Sequence, residues 1–260
     1  LLLLHGFGNE AHIWDDFAPI VAPHYRTLAL DHRGHGDSGW DPERRYEHET
    51  MVADVEAVTE ALGIERLVLV GHSLGGRIAT LFAGKHPDRM AGLVLVDIGP
   101  ELDPRGLMRI RQDVESDREP VFASLEEYAR MLSLAYPATR PETLIRMATH
   151  SAKQCADGRY ELKIDPALRG AVGDSETDEE REAREREMTR AQWSALERIT
   201  CPTLVVRGAA SDVFGPDVAD RMADEVLTHG QLAIVPRAGH SVMSDNPEGF
   251  NEAVAGFVLA

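Results

Sequence analysis

Gly71-His72-Ser73-Leu74-Gly75 sets one hydroxyl between two glycines, where the apolar run at 67–70 gives way to Leu74, Ile78, Leu81 and Phe82 at helical spacing. A strand that turns into a helix within one residue exposes the side chain at its apex. Glycines two residues to each side remove Cβ atoms that would collide there. This is the G-x-S-x-G pattern of a nucleophile elbow, and its chemistry would be attack of the Ser73 hydroxyl on a carbonyl carbon. A serine hydroxyl is a poor nucleophile at neutral pH. The same chain must therefore supply a base, an acid to orient the base, and donors for the oxyanion.

Histidine is the base best matched to neutral pH. Of eleven histidines, His240 stands out, because Arg237-Ala238-Gly239-His240-Ser241 directly follows the last apolar run, at 232–235. In an open parallel sheet, the loops at the strands' carboxyl ends form the crevice in which ligands bind. Asp212 is the first choice of acid, since the loop Gly208-Ala209-Ala210-Ser211-Asp212 leaves the run at 203–207, again at a carboxyl end. It would fix the His240 tautomer and stabilise the imidazolium. The expected oxyanion donors are two backbone N–H groups: Leu74, which opens the nucleophile helix, and Phe7, in His5-Gly6-Phe7-Gly8 after the first run.

These groups can meet only if a common scaffold brings them to one edge. Apolar runs at 1–4, 27–31, 67–70, 93–97, 203–207 and 232–235 alternate with helical patterns around 11–22, 50–62, 74–86, 216–227 and 247–258. Such alternation predicts an α/β fold with a parallel sheet covered on both faces. Trp14, Phe17 and Ile20 are expected to pack the first helix onto the sheet. Between 97 and 203 the rhythm breaks into amphipathic patches near 104–115, 124–135, 141–152 and 178–193, with one alternating stretch at 159–164. That interval reads as an insertion, and the charged run at 174–190 within it reads as a solvated helix or mobile segment.

The chain has 260 residues, 43% of them hydrophobic, which is enough to bury a full core. A formal charge of −17 without a dense basic patch argues against nucleic acid as a partner. No apolar run approaches the roughly eighteen residues of a membrane span, and the run at 1–4 is too short for a signal-peptide core. Cys155 and Cys201 are too few to staple a fold, and a cytoplasmic protein acting on a small molecule is the expectation.

Five motifs in order carry a resemblance to the α/β-hydrolase superfamily over nearly the whole chain. They are His5-Gly6-Phe7-Gly8, Asp31-His32-Arg33-Gly34-His35-Gly36-Asp37-Ser38, the elbow, the 207–212 loop, and Gly239-His240 followed by Asp245-Asn246-Pro247-Glu248. The resemblance implies an eight-stranded, mostly parallel core flanked by helices, a Ser-His-Asp mechanism, and a helical cap after the family's sixth strand. The cap would be 98–199 and the core 1–97 and 200–260. The family's first hairpin precedes the strand read at 1–4, so the sequence is expected to be truncated or numbered from inside the protein. Some hydrolases of this fold take their acid from the strand before the cap, where Asp97 lies. Asp212 is preferred because its loop follows the cap and precedes His240, as in the family's usual order.

The expected activity is hydrolysis of a small-molecule carboxylic ester or lactone through an acyl-enzyme on Ser73, with no cofactor and no metal. The cap resembles those of esterases, enol-lactone hydrolases and hydrolases that cleave carbon–carbon bonds in aromatic degradation. Carbon–carbon or amide hydrolysis on the same triad is the alternative, and cofactor-free haloperoxidase-like activity a further one. A rival of another class is a ligand receptor on the same scaffold that does not turn over. Dehalogenase and epoxide hydrolase relatives are disfavoured, because their elbow carries an aspartate where this chain has Ser73.

Other signals are set aside. Gly34-His35-Gly36-Asp37-Ser38-Gly39 fits G-x-G-x-x-G, but Trp40-Asp41-Pro42 continues a loop where a dinucleotide site needs a helix. His32, His35 and Asp37 have metal-ligating types, but no distant partner completes them. His72 reads as a packing residue of the elbow. The insertion holds more than half of the basic residues, and an anionic substrate near Arg105, Arg109 or Arg111 is weighed against plain solvated helix faces, which are preferred.

Overall fold

Successive residues of a strand point to opposite faces, so the three leucines of β1 (Leu2–Leu4) serve two cores at once. Leu3, with Val70, Val94, Val96 and Val206, packs one face against Trp14, Phe17 and Phe250. Leu2, with Leu69, Leu93, Leu95 and Val205, packs the other against Ile78, Phe82 and Phe214. Burial on both faces is what the β-branched and leucine-rich runs anticipate for a parallel sheet. The structure, a computed structural model, describes residues 1–116, 120–170 and 177–260.

The remaining strands are β2 (Leu28–Leu30), β3 (Leu67–His72), β4 (Met90–Val96), β5 (Val121–Phe122), β6 (Ala152–Gln154), β7 (Tyr160–Leu162), β8 (Thr203–Gly208) and β9 (Gly230–Val235). Six of them form one parallel sheet in the order β2-β1-β3-β4-β8-β9, rather than the eight that the resemblance implied. The winding reverses between β1 and β3, where Leu4 pairs with Gly71. A reversal of this kind opens a crevice at the carboxyl ends, and here the loop after β1 and the elbow after β3 border it. Trp14 and Phe17 are buried as expected. Ile20 is 40% exposed, because its neighbour Val21 is the residue of that turn facing the sheet.

The chain between β4 and β8 contributes the helices Pro104–Ser116, Leu125–Ala135, Pro141–Ser151, Pro166–Gly170 and Asp178–Leu196. It also holds a three-stranded antiparallel sheet, β5-β7-β6, of which only the β7 stretch stood out in the sequence. The charged helix Asp178–Leu196 is started by a capping box between Thr177 and Glu180. It is not wholly solvated: Glu185 lies 2.6 Å from Arg77, and the Gln192 amide donates to the Arg77 carbonyl at 3.0 Å. Both contacts fall on the helix Leu74–Lys85, directly behind Ser73. Residues 174–176 of the same charged run, and the Arg111 side chain, lie outside the described residues. Among the described residues no helix is long and apolar enough to cross a membrane.

Candidate active site

Ser73 joins β3 to the helix Leu74–Lys85 with φ 51° and ψ −115°, a backbone conformation that L residues rarely adopt. The surroundings force it. A Cβ on Gly71 would lie 2.4 Å from the Gly75 carbonyl oxygen, and one on Gly75 would lie 2.4 Å from the Leu4 carbonyl oxygen. The turn is therefore closed too tightly for any residue but glycine at either side, and strain at Ser73 is held by packing around it. The result aims the hydroxyl at the crevice, where Ser73 Oγ lies 3.0 Å from His240 Nε2.

His240 Nδ1 lies 2.8 Å from Asp97 Oδ2. A carboxylate accepts, so Nδ1 carries the proton and donates, which leaves the Nε2 lone pair to accept from Ser73. Asp97 is fully buried. Its other oxygen, Oδ1, accepts from the Gly208 N–H at 2.9 Å, and Oδ2 also accepts from Ser211 Oγ at 2.5 Å. Because Ser211 Oγ itself accepts from the Val213 and Phe214 N–H groups, its own proton points at Asp97. A buried carboxylate with three donors, one of them His240, is satisfied without an Arg or Lys.

The acid expected at Asp212 is not at that position. Asp212 lies in the expected loop, but both of its oxygens are taken by Arg109, with Nε to Oδ2 at 2.7 Å and Nη2 to Oδ1 at 2.9 Å. Hydrogen bonding to Arg109 holds its carboxyl below the usual carboxylate range. The physical reason is the sheet order. β4 and β8 are neighbours, so the end of β4 and the loop after β8 compete for one place beside His240. Asp97 fills it from β4, and Ser211 fills the inward position of the loop with its hydroxyl. Asp212, one residue on, turns to Arg109 of the helix Pro104–Ser116 at the cavity wall.

Phe7 lines the crevice beside Ser73, and Leu74 is the first helical residue, whose N–H has no intrahelical acceptor. His72 does more than pack. Its Nε2 lies 2.9 Å from the His240 carbonyl and must donate to it, so it ties the base's backbone to the elbow. Burial first, and then the charge of nearby His240, lower its pKa to about 3, which keeps the ring neutral. Asp245 accepts from the Gly239 N–H at 2.8 Å and from Thr139 Oγ1 at 3.0 Å, fixing the loop that carries His240. Ser211 and His72 went unrecognised in these roles because neither hydrogen bond has a local sequence signal.

The histidines of the second motif are structural. The His32 N–H donates to His5 Nε2 at 3.0 Å, His32 Nε2 donates to the His5 carbonyl at 3.2 Å, and His35 Nδ1 donates to the Arg33 carbonyl at 3.1 Å. They clamp the loop after β1 to the loop after β2, while Asp37 is turned outward onto Lys163 at 2.8 Å.

Ser73 and His240 open into a cavity of about 730 Å³. Much of its wall is apolar and comes from the insertion, including Tyr128, Leu132 and Ile164, with the cationic side chains of Arg109, Lys163 and Arg169 among them. Glu10 also lines it; burial pushes this carboxyl up to about 7, against the pull of its hydrogen bond from the His12 N–H. Of the arginines considered for an anionic substrate, Arg109 is bound to Asp212, and Arg105 to Asp103 at 2.7 Å.

The family described as alpha/beta hydrolase fold matches residues 1–247. An esterase of Mycobacterium tuberculosis, Rv0045c, is 29% identical over 98% of this chain and 81% of its own length. A 2-(acetamidomethylene)succinate hydrolase of Mesorhizobium japonicum is 25% identical over 100% of this chain and 88% of its own. Among solved structures, an alpha/beta hydrolase of Novosphingobium aromaticivorans superposes with a TM-score of 0.79 at 30% identity, covering 99% of this chain and 88% of that one. The crystal structure of an E-2-(acetamidomethylene)succinate hydrolase superposes at 0.85 with 24% identity, over 100% and 91%, and speaks to the fold alone. With a parallel sheet, an elbow and a histidine hydrogen-bonded to the elbow serine in the family's arrangement, the chain belongs to the α/β-hydrolase family and is an enzyme of it.

Proposed function

We propose that the protein hydrolyses a small-molecule carboxylic ester or lactone through an acyl-enzyme on Ser73. The observation that carries this is the unbroken chain of hydrogen bonds from Ser73 Oγ through His240 to Asp97 at the floor of the cavity. His240 Nε2 takes the hydroxyl proton as Oγ attacks the carbonyl carbon, and Asp97, in place of Asp212, orients the ring and stabilises the imidazolium. The N–H groups of Phe7 and Leu74 receive the oxyanion. His240 returns its proton to the leaving alkoxide, and a water activated by the same histidine then releases the acid. The stretch 98–199 acts as the cap that shapes the acyl and leaving-group pockets, since its residues form much of the cavity wall.

A second reading is hydrolysis of an amide or related bond in a substrate that bears a carboxylate. The relative that acts on a substituted succinate suggests it, and the cavity wall carries Lys163, Arg169 and Arg109, of which Lys163 and Arg109 are already paired with Asp37 and Asp212. A panel of p-nitrophenyl esters, lactones and carboxylate-bearing amides, run with wild type and Ser73→Ala, tests both. Turnover of neutral esters by wild type alone supports the first reading, and turnover of carboxylate-bearing amides alone supports the second. Binding of these compounds without turnover would contradict both.

A further inference from the structure

Away from Ser73, two histidines meet where the insertion touches the core. His12 sits in the short helix Ala11–Trp14 after β1, and His150 in the last turn of Pro141–Ser151. Their rings stack with centroids 3.6 Å apart and planes 17° from parallel. Asp15 completes the group, with Oδ2 3.0 Å from His12 Nδ1. One ligand-type atom from each of the three residues lies within 4.8 Å of the others.

This cluster differs from the other close histidines of the fold. His5, His32, His35 and His72 spend ring nitrogens on backbone groups, and burial keeps them from any ion. Among the described residues, neither the His12 ring nor the His150 ring is hydrogen-bonded to a backbone carbonyl, and the His12 and Asp15 side chains are 47% and 41% exposed. His12 Nδ1 and Asp15 Oδ2 stand 3.0 Å apart, close to the spacing of two donors on one ion, so the carboxylate and the imidazole present their donors at the same point. Asp15 and Asp37 bring negative charge within electrostatic reach of His150 and His12, and the nearby cations Arg146 and Lys163 are paired with Asp16 and Asp37.

We propose that His12, His150 and Asp15 form a binding site for a zinc-class divalent metal ion that joins the core to the insertion. Two imidazoles and a carboxylate are the donor types such ions prefer, and tetrahedral donors at about 2.1 Å from an ion stand roughly 3.4 Å apart. The atoms must close by little more than an ångström, with one ring tipping out of the stack about its side-chain torsions. Half-exposed side chains have room for that. The site is separate from the serine chemistry. Its consequence is mechanical, because His150 adjoins Ser151, which lines the cavity, so an occupied site ties that wall to the loop after β1.

The test is a Zn²⁺ titration by calorimetry of tag-free protein stripped of metal by chelator, for wild type, Ser73→Ala, His12→Ala, His150→Ala, His150→Gln and Asp15→Asn. One ion per chain is expected in wild type and Ser73→Ala. Each histidine variant should bind at least about 100-fold more weakly, and Asp15→Asn about 10-fold more weakly. Binding should weaken at lower pH, because a ligating imidazole must be neutral. A thermal melt of each variant checks the fold, and His150→Gln keeps bulk at that position should His150→Ala unfold. No binding to wild type, or binding unchanged by the histidine substitutions, would overturn the proposal.

Discussion

His240 Nδ1 lies 2.8 Å from Asp97 Oδ2, a residue at the end of β4, while Asp212 in the loop after β8 is held by Arg109. The carboxylate hydrogen-bonded to His240 thus follows the strand next to β8, whose last residue Gly208 and following loop residue Ser211 supply its remaining donors. Asp97→Asn removes the anion and is expected to lower kcat by about 10³ to 10⁴. Asp212→Asn breaks a half-exposed ion pair and should cost about tenfold at most. Steady-state rates of the two variants on one ester give the ranking, and the reverse order would return the role to Asp212.

In the proposed mechanism Ser211 acts through Asp97, to which its hydroxyl donates. Ser211→Ala deprives the buried carboxylate of its hydroxyl donor. The expected result is a fall in kcat of about tenfold with KM little changed. The acid limb of the kcat/KM profile should also move, which a purely structural residue would not cause. Equal losses in kcat at every pH, together with lost stability, would mark Ser211 as structural only.

Both glycines of the elbow can be read from the sequence because their spacing around Ser73 has a steric reason that needs no distant partner. His240 is legible for a similar reason: a histidine just after the last strand must lie at the sheet's carboxyl edge. The acid is not legible in that way. Asp97 and Asp212 both follow strands at the same edge, and only the pairing of β4 with β8, and the serine one residue before Asp212, decide between them. Within the insertion the amphipathic helices show their period. β7 shows because alternation runs past its ends over 159–164, whereas β5 and β6, of two and three residues, have no such run around them.

Gly75→Ala tests whether the elbow is sterically closed. Its Cβ would meet the Leu4 carbonyl oxygen at 2.4 Å, a backbone atom at the end of β1, which is held between β2 and β3 and cannot step aside. Destabilisation of about 3 kcal/mol is expected from chemical denaturation. A variant as stable as wild type would show that the strand and helix separate more easily than their packing implies.

Acid should weaken the fold through the buried histidines. Burial lowers His32 and His72 to about 3 and His35 to about 4, from the ordinary 6.5. The unfolded chain takes up these protons as pH falls through about 6.5 and the folded chain does not, so stability is full above that pH. It is then lost, by about 1.4 kcal/mol per pH unit for each histidine, until the folded values are reached. His35→Asn keeps a donor for the Arg33 carbonyl and removes one such group. Its unfolding free energy should fall less steeply with acid by about one proton; an unchanged slope would mean that His35 is protonated in the folded protein.

Covalent chemistry at Ser73 is read by intact-mass measurement during turnover of a slow ester. Wild type should gain the mass of one acyl group, located by peptide mapping to Ser73 and lost again as product forms. Ser73→Ala should gain none and lose about 10⁴-fold or more in hydrolysis. An adduct on another residue, or esterase activity persisting in pure Ser73→Ala, would exclude Ser73 as the nucleophile.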